Sequence, residues 1–132
     1  DVYKRQALTD VTGFGLLGHL LELARGAKLT ATLQMPAIPL LPNVLQLAGQ
    51  GCITGASGRN WEAYGHDVSL ADGVSAVQKA LLSDPQTSGG LLVACDPASV
   101  DEVLALFQRE GFAHAAVIGE MSAGAARVEV QG

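Results

Sequence analysis

The fold of this chain is decided by one stretch near its N-terminus, Thr9-Asp10-Val11-Thr12-Gly13-Phe14-Gly15-Leu16-Leu17-Gly18-His19. Thr12 is a good N-cap residue, because its hydroxyl can accept a hydrogen bond from a free first-turn N–H. Apolar residues then recur at helical spacing, which predicts an amphipathic helix from about Thr12 to Arg25. Gly26 follows as the expected C-cap residue.

Asp10 is predicted to lie just outside the N-terminus of this helix. The glycines Gly13, Gly15 and Gly18 are expected to let a ligand approach the backbone closely. Free N–H groups and the positive end of the helix dipole favour an anion at such a place. A carboxylate beside a phosphate would hold a divalent metal, because the metal cancels their repulsion. From the residues alone, Asp10 is interpreted equally well as a helix-capping side chain.

The same glycines fit G-x-G-x-x-G, the dinucleotide-binding fingerprint, over residues 13–18. That fingerprint also requires an acidic residue about 20 residues further on, at the end of the next strand, where it binds the ribose. The next predicted strand, residues 29–33, is followed by Gln34-Met35-Pro36. Because no acid stands there, a dinucleotide site is disfavoured.

The composition is that of one globular domain. The chain has 132 residues, of which 48% are hydrophobic and 16% charged. The net charge is −5 and the eight Lys and Arg residues are scattered, which argues against a nucleic-acid surface. No run of about 18 apolar residues occurs, so no membrane-spanning helix is expected. Cys52 and Cys95 lie far apart without a signal-peptide pattern, which favours two reduced thiols in a cytoplasmic protein.

Further along the chain, the pattern predicts interleaved helices and strands. Strands are expected at residues 29–33, 91–95, 115–120 and 127–130, with a short strand or a loop at 66–70. Helices are expected at residues 43–49, 73–82 and 96–111, with a helical turn at 59–65. Residues 51–58 are rich in Gly, Ser and Thr and are expected to form a loop. The apolar run 91–95 is typical of a central strand buried on both faces, and the alternation at 127–130 of an edge strand.

Few other residues suggest chemistry. Trp61 and Tyr64 can share a helix face, where they would stack a nucleotide base or, more commonly, pack in a core or an interface. His19 is better interpreted as a hydrogen-bonded packing histidine than as a catalytic base. The spacings of zinc sites, of the G-x-S-x-G nucleophile elbow and of the P-loop do not occur.

Two stretches resemble a known family. Residues 9–19 resemble the opening of the C-terminal domain of selenophosphate synthetase (selenide, water dikinase). A second signature of that family is similar to Ser83-Asp84-Pro85-Gln86-Thr87-Ser88-Gly89-Gly90-Leu91-Leu92. Two long motifs in the right order are more specific than either alone. The wider superfamily is that of aminoimidazole ribonucleotide synthetase. The resemblance implies an α+β fold, a layered C-terminal domain with helices packed on a mostly antiparallel sheet.

The resemblance also implies an activity. The family's enzyme is an ATP-dependent kinase that converts ATP, selenide and water into selenophosphate, AMP and phosphate. Asp10 occupies the place of the family's metal-binding aspartate, which implies a Mg²⁺ ligand. Gly13 and the loop residues Thr87, Ser88 and Gly89 are then candidate nucleotide contacts, although a tight turn explains the loop glycines as well. No catalytic residue is assigned, because the family's reactive Cys or selenocysteine belongs to the N-terminal domain.

The segment 1–6 does not resemble the family and is interpreted as foreign or as a truncation scar, which leaves residues 7–132 as the domain. The resemblance implies the missing N-terminal domain as a partner and a homodimer for the complete protein. The isolated fragment is expected to be inactive. Two alternatives stay open: another ATP-using enzyme of the superfamily, such as aminoimidazole ribonucleotide synthetase or a thiamine-phosphate kinase, and a packing module without chemistry of its own.

Overall fold

The computed structural model describes residues 7–86 and 89–132. Strands and helices interleave along these residues. The strands are β1 (Ala7–Asp10), β2 (Thr30–Gln34), β3 (Val68–Leu70), β4 (Leu91–Ala94), β5 (Gly119–Ser122) and β6 (Arg127–Gln131). The α-helices are α1 (Gly15–Ala27), α2 (Val44–Gly49), α3 (Gly55–Tyr64), α4 (Ala76–Leu82) and α5 (Val100–Arg109). Short 3₁₀ helices span Met35–Ala37, Gly65–Asp67 and Pro97–Ser99.

The strands form two separate sheets. The larger sheet has the strand order β3-β6-β2-β5, and β1 and β4 form a two-stranded antiparallel ribbon. In the larger sheet β6 runs parallel to both β3 and β2, whereas β5 runs antiparallel to β2. The α+β class is confirmed. The larger sheet is mixed, however, so the expectation of a mostly antiparallel sheet does not hold for it.

The core lies between α1 and the larger sheet. Leu17, Leu21 and Ala24 of α1 are at most 1% exposed, as are Val128 and Val130 of β6. Each such leucine contributes about 1.5–3 kcal/mol by leaving water. This packing fixes where α1 begins, and therefore where the first motif lies.

The position of β6 corrects the expected edge strand. The strand lies inside the sheet, between β3 and β2. Its alternation arises because Val128 and Val130 face the core while Arg127 and Glu129 are half-buried on the other face. Alternation reports that one face of a strand is buried, and it does not distinguish an edge strand from an interior one.

The prediction that the strand at residues 91–95 is central is also wrong. β4 pairs with β1 in the ribbon, and Leu91 is 53% exposed. The helix predicted to follow it exists as α5, but its apolar residues are at most half-buried, and Leu106 is exposed. An apolar run fixes neither the number of neighbouring strands nor the depth of burial.

Residues 51–58 are not a loop throughout, because α3 begins at Gly55. The Thr54 hydroxyl accepts a hydrogen bond from the Ser57 N–H at 3.2 Å, which caps the helix. Tyr64 is buried at the far end, and Trp61 is half-buried with the Lys79 ammonium 4.9 Å from its ring centroid. The aromatic pair therefore packs within the domain. None of the helices among residues 7–86 and 89–132 is long and apolar enough to cross a membrane.

Candidate functional site

The β1–β4 ribbon brings the two signature stretches, residues 9–19 and 83–92, together. Asp10 at the end of β1 is paired with Leu91 at the start of β4. Beyond the ribbon, the Val11 N–H donates to the Gly90 carbonyl at 2.9 Å. Motifs that are far apart in sequence therefore form one continuous surface with Asp10 on it.

A second backbone contact continues this surface past the ribbon. The Gln86 N–H donates to the Thr12 carbonyl at 3.0 Å, and the same carbonyl accepts from the Gly15 N–H at 3.1 Å. The two stretches are thus hydrogen-bonded to each other at Val11 and at Thr12, the two residues that precede Gly13. This arrangement fixes the relative position of the turn after Asp10 and of the second stretch.

Three of the motif glycines are explained by close contact with neighbouring protein atoms. Gly15 has a φ of +74°, and a Cβ there would lie 2.7 Å from the Ser83 carbonyl carbon. A Cβ on Gly89 would overlap the Val11 carbonyl oxygen, and one on Gly18 would lie 2.5 Å from the Phe14 Cβ. The expectation that Gly15 and Gly18 admit a ligand is therefore corrected, because protein atoms already fill those places.

Gly13 differs from these glycines. It is exposed, and no atom lies within 4 Å of the place where its Cβ would be. Gly90, on the second stretch, is open in the same way. The open backbone of the surface is therefore found at these two residues. Of the other predicted contact residues, Thr87 and Ser88 lie outside the described residues.

Asp10 is an exposed carboxylate at the end of β1. In the part of the chain that the structure describes, its side chain forms no hydrogen bond or ion pair. The capping interpretation is wrong, because α1 begins only at Gly15 and its N-cap residue, Phe14, makes no side-chain cap bond. Within residues 7–86 and 89–132, neither carboxylate oxygen of Asp10 is occupied by a protein partner.

A metal site made by this domain alone is not found. No group of three or more His, Cys, Asp or Glu side chains within residues 7–86 and 89–132 is placed to hold a metal ion. Mg²⁺ in phosphate-handling enzymes commonly takes only one or two carboxylates, with water and substrate phosphates completing its octahedron. A single free carboxylate such as Asp10 fits that kind of shared site.

His19 is buried beside this surface, with an exposure of 7%. Its Nε2 lies 3.1 Å from the Thr12 Oγ1, and its Nδ1 lies 3.6 Å from a Glu22 carboxylate oxygen. Its ring also contacts that of Phe14, with the centroids 5.8 Å apart. The prediction of a hydrogen-bonded packing histidine is confirmed. The contact also occupies the Thr12 hydroxyl, which the sequence assigned to the cap of α1.

The residues from Thr54 to Tyr64, which include α3, supply contacts that the sequence did not predict. The Asn60 amide group donates to the Gly13 carbonyl at 2.8 Å and to the Ser83 carbonyl at 3.0 Å. The Tyr64 hydroxyl donates to the Phe14 carbonyl at 2.5 Å, and burial raises the pKa of Tyr64 above its usual value of 10.0. The Thr54 hydroxyl donates to a carboxylate oxygen of Asp84 at 2.8 Å. The sequence predicted only a helical turn at residues 59–65, and the capping role of Thr54 is the signal that would have placed the start of the helix earlier.

Comparison with known proteins identifies the domain. Residues 4–131 match the family model described as AIR synthase related protein, C-terminal domain. A protein of Burkholderia pseudomallei named selenide, water dikinase is 68% identical over 94% of this chain. Proteins of that name from Pseudomonas straminea and Rhizobium meliloti are 62% and 53% identical over the same share.

The match covers only part of each relative. The chain spans 35% of the Burkholderia pseudomallei protein and 36% of the Rhizobium meliloti protein. The family match covers nearly the whole chain and includes both signature stretches. The chain belongs to the AIR synthase related family and represents its C-terminal domain.

Proposed function

We propose that this chain is the C-terminal part of an ATP-dependent selenide, water dikinase. The observation that carries the proposal is the identity of 68% to a protein of that name, over 94% of this chain. The hydrogen-bonded surface of the two signature stretches, with the free carboxylate of Asp10 upon it, supports the same proposal. The substrates would be ATP, selenide and water, and the products selenophosphate, AMP and phosphate.

Asp10 would be the metal ligand of this domain. Mg²⁺ held by Asp10 would supply charge neutralisation to phosphoryl transfer. Asp10 lies where β1 ends, next to the open backbone of Gly13 and across the ribbon from Gly90. These two residues leave room for phosphate oxygens beside the carboxylate. Thr87, Ser88 and Gly89 are proposed as further nucleotide contacts, through hydroxyl groups and backbone N–H donors.

The rest of the polypeptide would cover an apolar surface of this domain. Residues 29–58 contain no Asp, Glu, Lys, Arg or His. Apolar side chains in the later part of this segment are 38–76% exposed: Leu40, Leu41, Leu45, Leu47 and Ile53. A patch of this kind on a small domain marks a contact surface. Because the relatives are nearly three times as long as the matched region, their N-terminal portion is the proposed occupant.

We also propose that the complete protein is a cytoplasmic homodimer and that this domain alone makes no selenophosphate. Its only proposed contributions to the reaction are one metal ligand and nucleotide contacts. The two free cysteines, Cys52 and Cys95, are compatible with a reducing compartment.

The test is steady-state AMP formation by the full-length protein, with ATP and Mg²⁺, in the presence and absence of selenide. The proposal expects AMP formation that depends on selenide. Another ATP-using enzyme of the superfamily would instead form ADP with a different acceptor, and it would ignore selenide. Because AMP and ADP separate by chromatography, one assay distinguishes the two.

A further inference from the structure

We infer that Asn60 is a positioning residue, which bridges the two signature stretches at Gly13 and Ser83, beyond their direct backbone hydrogen bonds. Its side-chain nitrogen lies 2.8 Å from the Gly13 carbonyl oxygen and 3.0 Å from the Ser83 carbonyl oxygen. One carbonyl lies in the first stretch and the other begins the second. Among the described side chains with hydrogen bonds to these stretches, that of Asn60 bonds to both.

The chemistry of an amide suits this position. The Asn60 side chain carries two N–H donors on one nitrogen, and each has a carbonyl acceptor here. Ser83 is fully buried and Asn60 is half-buried, so water competes weakly for the bond to the Ser83 carbonyl, whereas the bond to the Gly13 carbonyl is exposed. An aspartate of the same shape would place a negative oxygen against two carbonyl oxygens, which is repulsive.

Two neighbouring residues also hold the α3 segment against the stretches. Tyr64 donates to Phe14 in the first stretch, and Thr54 donates to Asp84 in the second. The α3 segment is therefore attached to both stretches, and Asn60 lies between Thr54 and Tyr64 along it. Loss of Asn60 would remove the bridge between Gly13 and Ser83, and the direct backbone bonds at Val11 and Thr12 would then hold the two stretches with less support.

The consequence for the reaction rests on the proposed function. Asp10 is three residues before Gly13, and the proposed nucleotide contacts at residues 87–89 follow Ser83 in the second stretch. A metal held by Asp10 can meet phosphates held by the second stretch only at one separation of the two. A misplacement of about 1 Å at such a site costs up to about a hundredfold in rate.

The test uses the full-length protein with Asn60→Ala and Asn60→Asp. The matched control is Ser57→Ala, because Ser57 is on the same helix and donates at 2.5 Å to the carbonyl of Ala80 in α4, a residue outside both stretches. The first measurement is hydrogen exchange of the segments that contain Val11 and Gln86, whose N–H groups link the stretches. We expect exchange about tenfold faster in both Asn60 variants and unchanged in Ser57→Ala.

The second measurement is the Mg²⁺ concentration that half-activates AMP formation. We expect it to rise about tenfold in Asn60→Asp and to stay at the wild-type value in Ser57→Ala. Asn60→Gln keeps both donors and should restore part of the loss. Equal exchange rates in wild type and Asn60→Asp would overturn the inference, as would equal changes in the Asn60 and Ser57 variants.

The exchange measurement needs no catalytic activity, so the two proposals fail separately. If the wild-type protein forms no AMP with selenide, the proposed function fails, and exchange still decides the role of Asn60. If Asn60→Ala does not fold, the isosteric Asn60→Asp and the donor-retaining Asn60→Gln provide the comparison.

Discussion

Replacement of Asp10 by Asn in the full-length protein removes one negative charge and little else. The side chain is exposed and has no partner among the described residues, so the free energy of unfolding should change by less than about 0.5 kcal/mol. Two unit charges 4 Å apart attract by about 1 kcal/mol in water and about 4 kcal/mol near a protein surface. We therefore expect at least a tenfold fall in rate, which corresponds to about 1.4 kcal/mol.

The assay for Asp10→Asn is steady-state AMP formation across a Mg²⁺ titration, beside a thermal melt. High Mg²⁺ should recover part of the lost rate, because the weakened site still has phosphate and water ligands. The matched control is Asp72→Asn, since Asp72 is also exposed but lies in the turn after β3, on the other sheet. An unchanged rate in Asp10→Asn, or an equal fall in Asp72→Asn, would refute the metal assignment.

Three further predictions follow from the packing. Gly15→Ala should destabilise the protein by about 2 kcal/mol or more, because Gly15 has a positive φ and a Cβ there would clash with the Ser83 backbone. Gly13→Ala should cost less than about 1 kcal/mol, because the place of its Cβ is open. Equal melting temperatures for the two variants would contradict this. Tyr64→Phe should cost about 1 kcal/mol at pH 8 through the lost hydrogen bond. Burial raises the pKa of Tyr64, so as pH rises above 10 the unfolded chain loses the phenolic proton before the folded chain does. The free energy of unfolding of the wild type therefore falls above pH 10. The difference in this free energy between wild type and Tyr64→Phe, measured in denaturant melts, should become smaller. If the rest of the polypeptide covers the apolar surface, Cys52 should be shielded in the full-length protein, although it is exposed in this domain. With Cys95 replaced by Ser, we expect Cys52 to react with a thiol reagent at least tenfold more slowly than a peptide of residues 48–56. Equal rates would mean that the apolar surface is uncovered.

The elements that sequence analysis located well are those with strong local signals. α1 has a regular apolar face, and α4 has Ser75 as its N-cap in a capping box with Gln78. The start of α1 was predicted three residues too early, because the Thr12 hydroxyl contacts His19 and leaves the N-cap position to Phe14. Local propensity cannot anticipate such a competing tertiary contact.

The arrangement of the sheets was not predicted either, because it too depends on tertiary contacts. Alternation at β6 showed a buried face, but its two neighbours are set by chain connections elsewhere in the fold. The apolar run of β4 predicted burial, whereas Leu91 is exposed in a two-stranded ribbon. On the proposal made above, surfaces of this domain are completed by the rest of the polypeptide, and its apolar residues are patterned for that longer chain.

The metal-binding role of Asp10 and the nucleotide contacts stay predictions. The first signature motif indicated Asp10. In the structure Asp10 is exposed and does not cap α1. Asn60 was not predicted, because an isolated asparagine within a Gly-rich and Ser-rich segment gives no pattern. Its contacts exist only because α3 lies against both signature stretches.

The most direct test of the proposed activity is ³¹P NMR of the products formed by the full-length protein from ATP, Mg²⁺ and selenide enriched in ⁷⁷Se. We predict a new phosphorus resonance that is split by coupling to ⁷⁷Se, together with AMP and phosphate, and a much smaller yield in Asp10→Asn. Release of phosphate alone, without a selenium-coupled resonance, would contradict the assignment of this domain to a selenide, water dikinase.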